Sequence, residues 1–222
     1  MQRVPEPELM DEPAQAAAYA AADFAEAHSR IVAAFEQFFP QVEIAGPVLD
    51  LGCGPGDIGF RFAERFPDCE VVGLDGAREM IMLAQQRKAA EAVVGQRLNF
   101  IEGLLPGAPI PPLAYTAIIS NSLLHHLHNP EVLWEVINRL AGRGTYIFIA
   151  DLYRPQSTAE AQRLVDQYAA AEPEVLRHDF YHSLCAAFEP AEIEMQLAAA
   201  GLHELAVAVV SDRHLVVHGV KG

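Results

Sequence analysis

The apolar residues of this chain form two alternating patterns: short continuous runs, and longer segments in which they recur every three to four positions. The runs predict five strands, near 47–51, 70–75, 97–102, 115–120 and 144–150. The periodic segments predict five helices, near 57–66, 77–91, 130–141, 157–171 and 190–200. Strands that alternate with helices indicate a parallel sheet with right-handed crossovers.

The two ends of the chain depart from this alternation. Residues 205–210 and 214–220 read as extended runs joined by a tight turn at Ser211 and Asp212, which predicts an antiparallel hairpin at a sheet edge. Pro13 to Phe39 is rich in alanine and predicts one or two helices before the first strand. The expected fold is therefore α/β: a doubly wound, seven-stranded, mostly parallel sheet with a C-terminal hairpin and N-terminal helices.

A glycine-rich turn follows the first predicted strand. Gly52, Gly54 and Gly56 allow positive φ angles and remove side chains that would hold a ligand away, and Asp50 lies at the strand's end. The third place of the dinucleotide-binding pattern is Asp57 rather than glycine. A carboxylate there would repel a pyrophosphate at the helix N-terminus, which favours a cationic or zwitterionic ligand. An ordinary tight turn also fits this segment alone.

Asp75 ends the second predicted strand, 25 residues after Asp50. Nucleotide-binding α/β folds place a ribose-binding acid at about this interval. A carboxylate at this position can accept hydrogen bonds from both ribose hydroxyls. The same position also suits an N-cap for the helix that begins near Gly76.

Four segments in this order resemble the class I S-adenosylmethionine (SAM)-dependent methyltransferases, small-molecule type. The segments are 50–56 (Asp-Leu-Gly-Cys-Gly-Pro-Gly), 73–77 (Gly-Leu-Asp-Gly-Ala), 114–127, which contains Ser-Asn-Ser-Leu-Leu-His-His, and 142–151 at the fifth strand. The resemblance spans roughly residues 47 to 151. It implies a SAM cofactor, the demethylated product S-adenosylhomocysteine (SAH), and the same seven-stranded ending.

The resemblance also implies roles for single residues. Asp50, Gly52 and Gly54 would hold the methionine end of SAM, and Asp75 the ribose hydroxyls. Ala77 and Met80 would border the adenine, and Asn121 would meet the cofactor's amino group. One departure stands out: after Gly103 the family commonly has an acid, and this chain has Leu104. The backbone at Gly103 and Leu104 is then the expected contact to the adenine amino group.

Methyl transfer from a sulfonium requires an aligned acceptor and little else from the protein. Where the acceptor loses a proton, a histidine or carboxylate can take it. Candidates are His125, His126, Asp151, Tyr181 and His182, of which we take His125, His126 and Tyr181 as the catalytic set. Residues 125–128 (His-His-Leu-His) could instead bind a metal, but three histidines in four positions cannot all face one point, and no acid nearby along the chain completes a set. No metal is expected.

The segment 153–190 is longer than a plain crossover and would overhang the ligand-binding edge of the sheet. We predict that it forms a helical substrate lid, although it could simply cover sheet surface. The expected organisation is one domain, with a helical cap (1–45), a SAM-binding core (46–152), the lid, and a C-terminal helix and hairpin (191–222). Tyr19 in the cap would close on the sulfonium by a cation–π contact, or pack between helices.

The charge and the cysteine content of the chain limit the classes of partner and the compartment that we expect. The 30 acidic residues outnumber 15 basic ones, giving a net charge of −15, so nucleic acids would be repelled at long range and a small-molecule acceptor is favoured. The three scattered cysteines form no disulfide or zinc pattern, and no signal peptide or membrane span is visible, which predicts a cytoplasmic protein without a membrane partner. A homodimer is possible.

Two other functional classes remain open. One is a nicotinamide-dependent oxidoreductase, which Asp57 and the lack of a Tyr-x-x-x-Lys pair disfavour. The other is a non-catalytic SAM-binding or interaction protein, because this fold requires no particular catalytic residue.

Overall fold

The computed structural model describes residues 1–7, 9 and 25–222. Seven strands lie in this part of the chain: β1 (Gly46–Leu51), β2 (Cys69–Asp75), β3 (Leu98–Glu102), β4 (Ala117–Asn121), β5 (Tyr146–Leu152), β6 (Ala206–Val209) and β7 (His214–Val220). The described helices are α1 (Ala25–Phe38), α2 (Asp57–Arg65), α3 (Arg78–Ala90), α4 (Ala92–Gly95), α5 (Glu131–Leu140), α6 (Thr158–Tyr168), α7 (Glu174–Ala186) and α8 (Pro190–Ala199), with a 3₁₀ turn at Leu124–His126.

The seven strands form one sheet in the order β3-β2-β1-β4-β5-β7-β6. Strands β1 to β5 pair in parallel, whereas β7 runs antiparallel to both β5 and β6. The order reverses between β1 and β4, so the carboxyl ends of these two strands open onto a crevice where α/β sheets bind ligands. This architecture confirms the fold expected from the sequence.

Apolar side chains cover both faces of the sheet. On one face Phe35 of α1 meets the rings of Phe62 and Phe148, and on the other Trp134 of α5 is buried with α8 beside it. Helix ends are fixed locally: the Ser157 side chain accepts a hydrogen bond from the amide of Glu160 at the start of α6. The sheet is thus a rigid support for the loops at its carboxyl edge.

The first seven residues lie across that edge as an extended segment, which we call the N-terminal strap (residues 1–7). Arg3 donates hydrogen bonds to the carbonyl oxygens of His125, Leu127 and Ala186. Its guanidinium also stacks 3.9 Å from the ring centre of Phe188. The strap therefore joins the turn after β4 to the end of α7.

The strap is also anchored at the buried Arg154, just after β5. Arg154 donates to the carbonyl oxygens of Met1 and Ala187, and pairs with Glu192 at 2.9 Å. A buried guanidinium with several acceptors holds its partners firmly, because each lost bond would leave a buried charge unsatisfied. The sequence predicted a helical cap over residues 1–45, whereas residues 1–7 contain no helix and form the strap instead.

The predicted helices and strands lie within two residues of the observed ones, except that α6 ends at Tyr168, three residues before the predicted end at 171. The segment predicted as a lid, residues 153–190, contains the two helices α6 and α7. The 3₁₀ turn lies between β4 and α5. The N-terminal helices are confirmed as far as α1, since Pro13 to Asp23 lies outside the described residues. No helix among residues 25–222 is long and apolar enough to cross a membrane.

Candidate functional site

A cleft of about 1790 Å³ opens at the carboxyl ends of β1, β2 and β4. One side is bordered by the residues predicted for the cofactor: Gly52, Gly54, Asp75, Ala77, Met80, Gly103, Leu104 and Asn121. The other side is bordered by the strap, the 3₁₀ turn and α7, through Glu6, His125, His126, Leu176, His182 and Ser183. The cleft is larger than one nucleoside needs and has room for a second small molecule.

The three turn glycines are required for different reasons, although all have positive φ. A Cβ at Gly52 would lie 2.8 Å from Leu123, and one at Gly56 would lie 2.7 Å from the Phe100 ring. A Cβ at Gly54 would meet no protein atom within 4 Å among the described residues. Gly52 and Gly56 therefore serve packing, and Gly54 leaves bare backbone where a ligand can approach.

Asp75 ties the ends of β1 and β2 together. One of its carboxylate oxygens accepts a hydrogen bond from the Gly54 amide and the other from the Ala77 amide, each at 2.8 Å. The second bond closes a turn before α3, but Asp75 is not the N-cap proposed as its alternative role, because Ala77 occupies that position. A carboxylate oxygen can accept more than one bond, so this arrangement is compatible with ribose hydroxyls on the cleft side.

Asp50 lies beneath the glycine turn and does not border the cleft, with only 1% of its surface exposed. Burial, together with the nearby charge of Asp75, raises the pKa of Asp50 to about 7. Its Oδ2 atom has no hydrogen-bond partner among the described residues. Any contact between Asp50 and the methionine end of a cofactor is therefore indirect or requires the turn to shift.

Asp57 does not face the cleft as the sequence argument assumed. Its carboxylate contacts His28 at 2.6 Å, Arg61 at 2.7 Å and Arg87 at 2.5 Å, and joins α1, α2 and α3. Burial opposes ionisation, but these three partners outweigh it and hold the pKa of Asp57 well below its usual value. Its charge is thus balanced by its partners, so Asp57 does not supply the repulsion of a phosphate that its sequence position suggested.

His125 is held in a fixed orientation by Asp151 at the end of β5. Its Nδ1 lies 2.5 Å from one Asp151 oxygen, and the other Asp151 oxygen accepts from the Leu124 amide. Burial by itself would lower the pKa of His125, but the Asp151 carboxylate raises it above the usual value. The ring nitrogen left over, Nε2, points toward the strap.

Glu6 of the strap lies between the two neighbouring histidines. Its Oε1 is 3.5 Å from His125 Nε2 and 3.3 Å from His126 Nδ1. Burial raises the pKa of Glu6, and burial and the charge of His125 lower the pKa of His126 to about 3. Within the described part of the chain, neither Glu6 Oε1 nor His126 Nδ1 has a hydrogen bond of acceptable geometry.

These three side chains form a group that could hold a metal ion. Glu6 lies 119 residues before His125. A search for acids close to the histidines along the chain therefore misses it. No local pattern could have indicated this contact. His128, the third histidine of the run, contacts the backbone oxygen of Glu6 instead.

Other predicted residues occupy mixed positions. Ala77 and Met80 are nearly fully buried at the start of α3, whereas the Leu104 side chain is 58% exposed beside Gly103. Tyr181 packs against the apolar cluster beneath α6 and α7 and does not border the cleft, although its neighbour His182 does. Tyr19 lies outside the described residues. Ser122, directly after Asn121, has a positive φ of 57° that the sequence did not signal.

Comparison with known proteins finds similarity to methyltransferases, which is confined to the core of the sequence. Residues 48–144 match the methyltransferase domain family. A malonyl-[acyl-carrier protein] O-methyltransferase of Bacillus cytotoxicus is 33% identical over 102 residues, which cover 46% of this chain and 34% of that protein. The chain thus spans about a third of the length of that relative.

Solved structures agree on the fold. A SAM-dependent methyltransferase from Aquifex aeolicus aligns with a TM-score of 0.68 at 16% identity, over 95% of this chain and 99% of that one. A plantazolicin methyltransferase in complex with SAH aligns with a TM-score of 0.70 at 13% identity, over 95% and 91% of the two chains. At such identities the likeness shows the shared fold.

Proposed function

We propose that this chain transfers a methyl group from SAM to a small molecule. The premise is that it belongs to the class I SAM-dependent methyltransferases through residues 48–144. SAM is the cofactor. The observation that carries the proposal is the cleft itself, which has the Gly54 backbone and Asp75 on one side and a pair of oriented polar side chains on the other.

On the cofactor side, Gly52, Gly54 and Asp75 bind the amino-acid tail and ribose of SAM. Ala77, Met80, Gly103 and Leu104 border the adenine, and Asn121 meets the amino group. Asp50 acts from beneath the turn, where its buried carboxylate favours the positive charge of the cofactor. These residues would hold SAM along this side of the cleft and leave the opposite side to the acceptor.

On the acceptor side, His125 and His126 contact the reacting group of the acceptor. Helices α6 and α7, within residues 153–190, cover this side as the substrate lid and exclude water. Transfer is an in-line displacement: the acceptor's electron pair forms the new bond to the methyl carbon as the carbon–sulfur bond breaks, and SAH leaves. Tyr181 has no part in this proposal because it lies away from the cleft.

The acceptor is a small molecule because the net charge of −15 disfavours nucleic acids and because the strap and lid border the acceptor side of the cleft. The single-domain organisation and a cytoplasmic location stay predictions. The three cysteines, Cys53, Cys69 and Cys185, are free and buried, as expected for a protein of a reducing compartment.

Calorimetric titration with SAM, SAH and NADH tests the cofactor. We expect SAM and SAH to bind and NADH not to bind. Incubation with methyl-labelled SAM and a fractionated small-molecule extract then tests transfer. Asp75→Ala is the variant expected to transfer less at limiting SAM, and Glu70→Ala, an exposed change on the same strand, is its control. NADH binding in place of SAM would contradict the proposal, and SAM binding without transfer to any fraction would favour a non-catalytic SAM-binding protein.

A further inference from the structure

We propose that Glu6, His125 and His126 bind a divalent transition-metal ion at the acceptor side of the cleft. The ligand atoms are Glu6 Oε1, His125 Nε2 and His126 Nδ1, which all lie within 4.8 Å of one another. Two imidazoles and one carboxylate are a donor set that suits zinc, iron and similar ions.

The spacing of these atoms matches that of ligands around one ion. Tetrahedral ligands with bonds of 2.0–2.1 Å are separated from one another by about 3.4 Å. Glu6 Oε1 lies 3.5 Å from His125 Nε2 and 3.3 Å from His126 Nδ1. Small side-chain adjustments would therefore suffice to close the three atoms on an ion.

The second observation is the lack of hydrogen bonds at the same atoms. Glu6 Oε1 and His126 Nδ1 are both buried, and neither makes a hydrogen bond to the described residues. A buried carboxylate oxygen and a buried ring nitrogen that lie close together without a hydrogen bond cost stability, and an ion between them would satisfy both. Arg3 does not take this place, because it donates to backbone carbonyl oxygens.

Asp151 supports the proposed site by binding the ring nitrogen of His125 that does not face the ion. It binds His125 Nδ1 at 2.5 Å, and this fixes the ring with Nε2 toward the site. A carboxylate on the remote nitrogen of a histidine ligand is the usual support of such sites, and it strengthens the bond to the metal. Asp151 is thus a positioning residue for the ion.

Three protein ligands leave at least one coordination position, and Glu6, His125 and His126 all border the cleft. An acceptor oxygen that carries a lone pair would fill the open position, so the acceptor class would be hydroxyl or carboxyl compounds. A bound hydroxyl loses its proton to solvent more easily, and the resulting oxygen anion donates its electron pair to the SAM methyl carbon. This role rests on the proposed function, whereas the ion site itself does not.

Metal titration of the full chain tests the site. Chelator-treated protein should bind one Zn²⁺ per chain by calorimetry, and Co²⁺ should give a visible absorption band typical of low coordination number. Glu6→Gln and His126→Gln should each weaken binding at least tenfold, and Asp151→Asn by about tenfold. His203→Gln, a change at an exposed histidine elsewhere, should leave it unchanged.

SAM titration of the same samples separates the two proposals. Wild-type, Glu6→Gln and His126→Gln proteins that bind SAM equally are folded, so their loss of Zn²⁺ binding would support the ion site. No Zn²⁺ or Co²⁺ binding by wild type, or binding that Glu6→Gln and His126→Gln leave unchanged, would overturn it and leave Glu6 as a plain partner of His125. If the protein binds the ion but not SAM, the proposed methyl transfer would be contradicted and the ion site would still stand.

Discussion

The backbone amide of Gly54 donates a hydrogen bond to a carboxylate oxygen of Asp75 over 2.8 Å. This bond joins the turn after β1 to the end of β2, the two places where the sequence indicates cofactor contacts. The position of the glycine turn therefore depends on the same carboxylate that we propose binds the ribose.

Replacing Asp75 should weaken SAM binding. Asp75→Ala removes the acceptor of the ribose hydroxyls and of the Gly54 and Ala77 amides, and we expect affinity to fall by about 1–3 kcal/mol. Calorimetric titration with SAM and SAH below the melting temperature measures this loss. Glu70→Ala is the control, since Glu70 is an exposed acid of β2. Equal affinities for the two variants would remove Asp75 from the ribose role.

The glycines at 52 and 54 should respond differently to alanine. Both have positive φ, so each substitution strains the backbone by about 1–2 kcal/mol. Gly52→Ala also places a Cβ 2.8 Å from Leu123, whereas Gly54→Ala meets open space. Urea unfolding should show Gly52→Ala as the less stable variant.

Gly52→Ala and Gly54→Ala should also differ in how much SAM affinity each loses relative to its loss of folding stability. Gly54→Ala should lose more SAM affinity than its stability change alone explains, because its new methyl group projects where the cofactor approaches. A Gly54→Ala protein with wild-type SAM affinity would show that the ligand does not approach this backbone.

Asp50 should make folding stability fall with rising pH. Its pKa is about 7 in the folded state and 3.8 as the ordinary value, so the unfolded chain loses this proton first. Stability is then lost between about pH 4 and pH 7, by up to about 4 kcal/mol at 1.4 kcal/mol per pKa unit. Asp50→Asn should flatten this decline in urea unfolding at pH 5 and pH 8, while weakening SAM binding at pH 8.

The control for that comparison is Glu70→Gln, which removes an exposed carboxyl group from the neighbouring strand. Its pH profile should follow the wild type. Parallel profiles for the wild type and Asp50→Asn would mean that Asp50 titrates normally in the folded protein.

Asp57 should matter for stability and not for the cofactor. Asp57→Asn weakens contacts to His28, Arg61 and Arg87, and we expect a loss of about 2 kcal/mol at pH 7. Because its folded pKa lies below the ordinary value, the contribution is present above about pH 4 and disappears as the pH falls further. The measurement is urea unfolding, and the control is Glu64→Gln, which changes an exposed acid of the same helix. A loss of SAM affinity in Asp57→Asn at unchanged stability would contradict this assignment.

The sheet and its order could be predicted because their causes are local. Strand β1 and the turn that follows have the apolar run and glycine spacing within a dozen residues, and the hairpin at Ser211 and Asp212 has its own turn signal. The cofactor side follows, since parallel strands bring their carboxyl ends to one edge. Most of the predicted cofactor residues therefore do border the cleft.

The acceptor side could not be predicted in the same way. Glu6 meets His125 because Arg3, Arg154 and His128 hold the strap against parts of the fold more than a hundred residues away along the chain. Likewise, two of the partners of Asp57 come from α1 and α3, and with Arg61 they balance the charge that its place at a helix N-terminus would present. Contacts of this kind depend on tertiary packing, which no short pattern encodes.

The strap also sets an order of events during synthesis. Residues 1–7 are synthesised well before their partners, which include the carbonyl oxygens of residues 125, 127, 156 and 186. A nascent chain is built at roughly 5–20 residues per second, so the early segment waits many seconds without its native neighbours. Its docking is consequently among the last steps of maturation, and a truncated translation product that lacks α7 would display Glu6 and Arg3 to solvent.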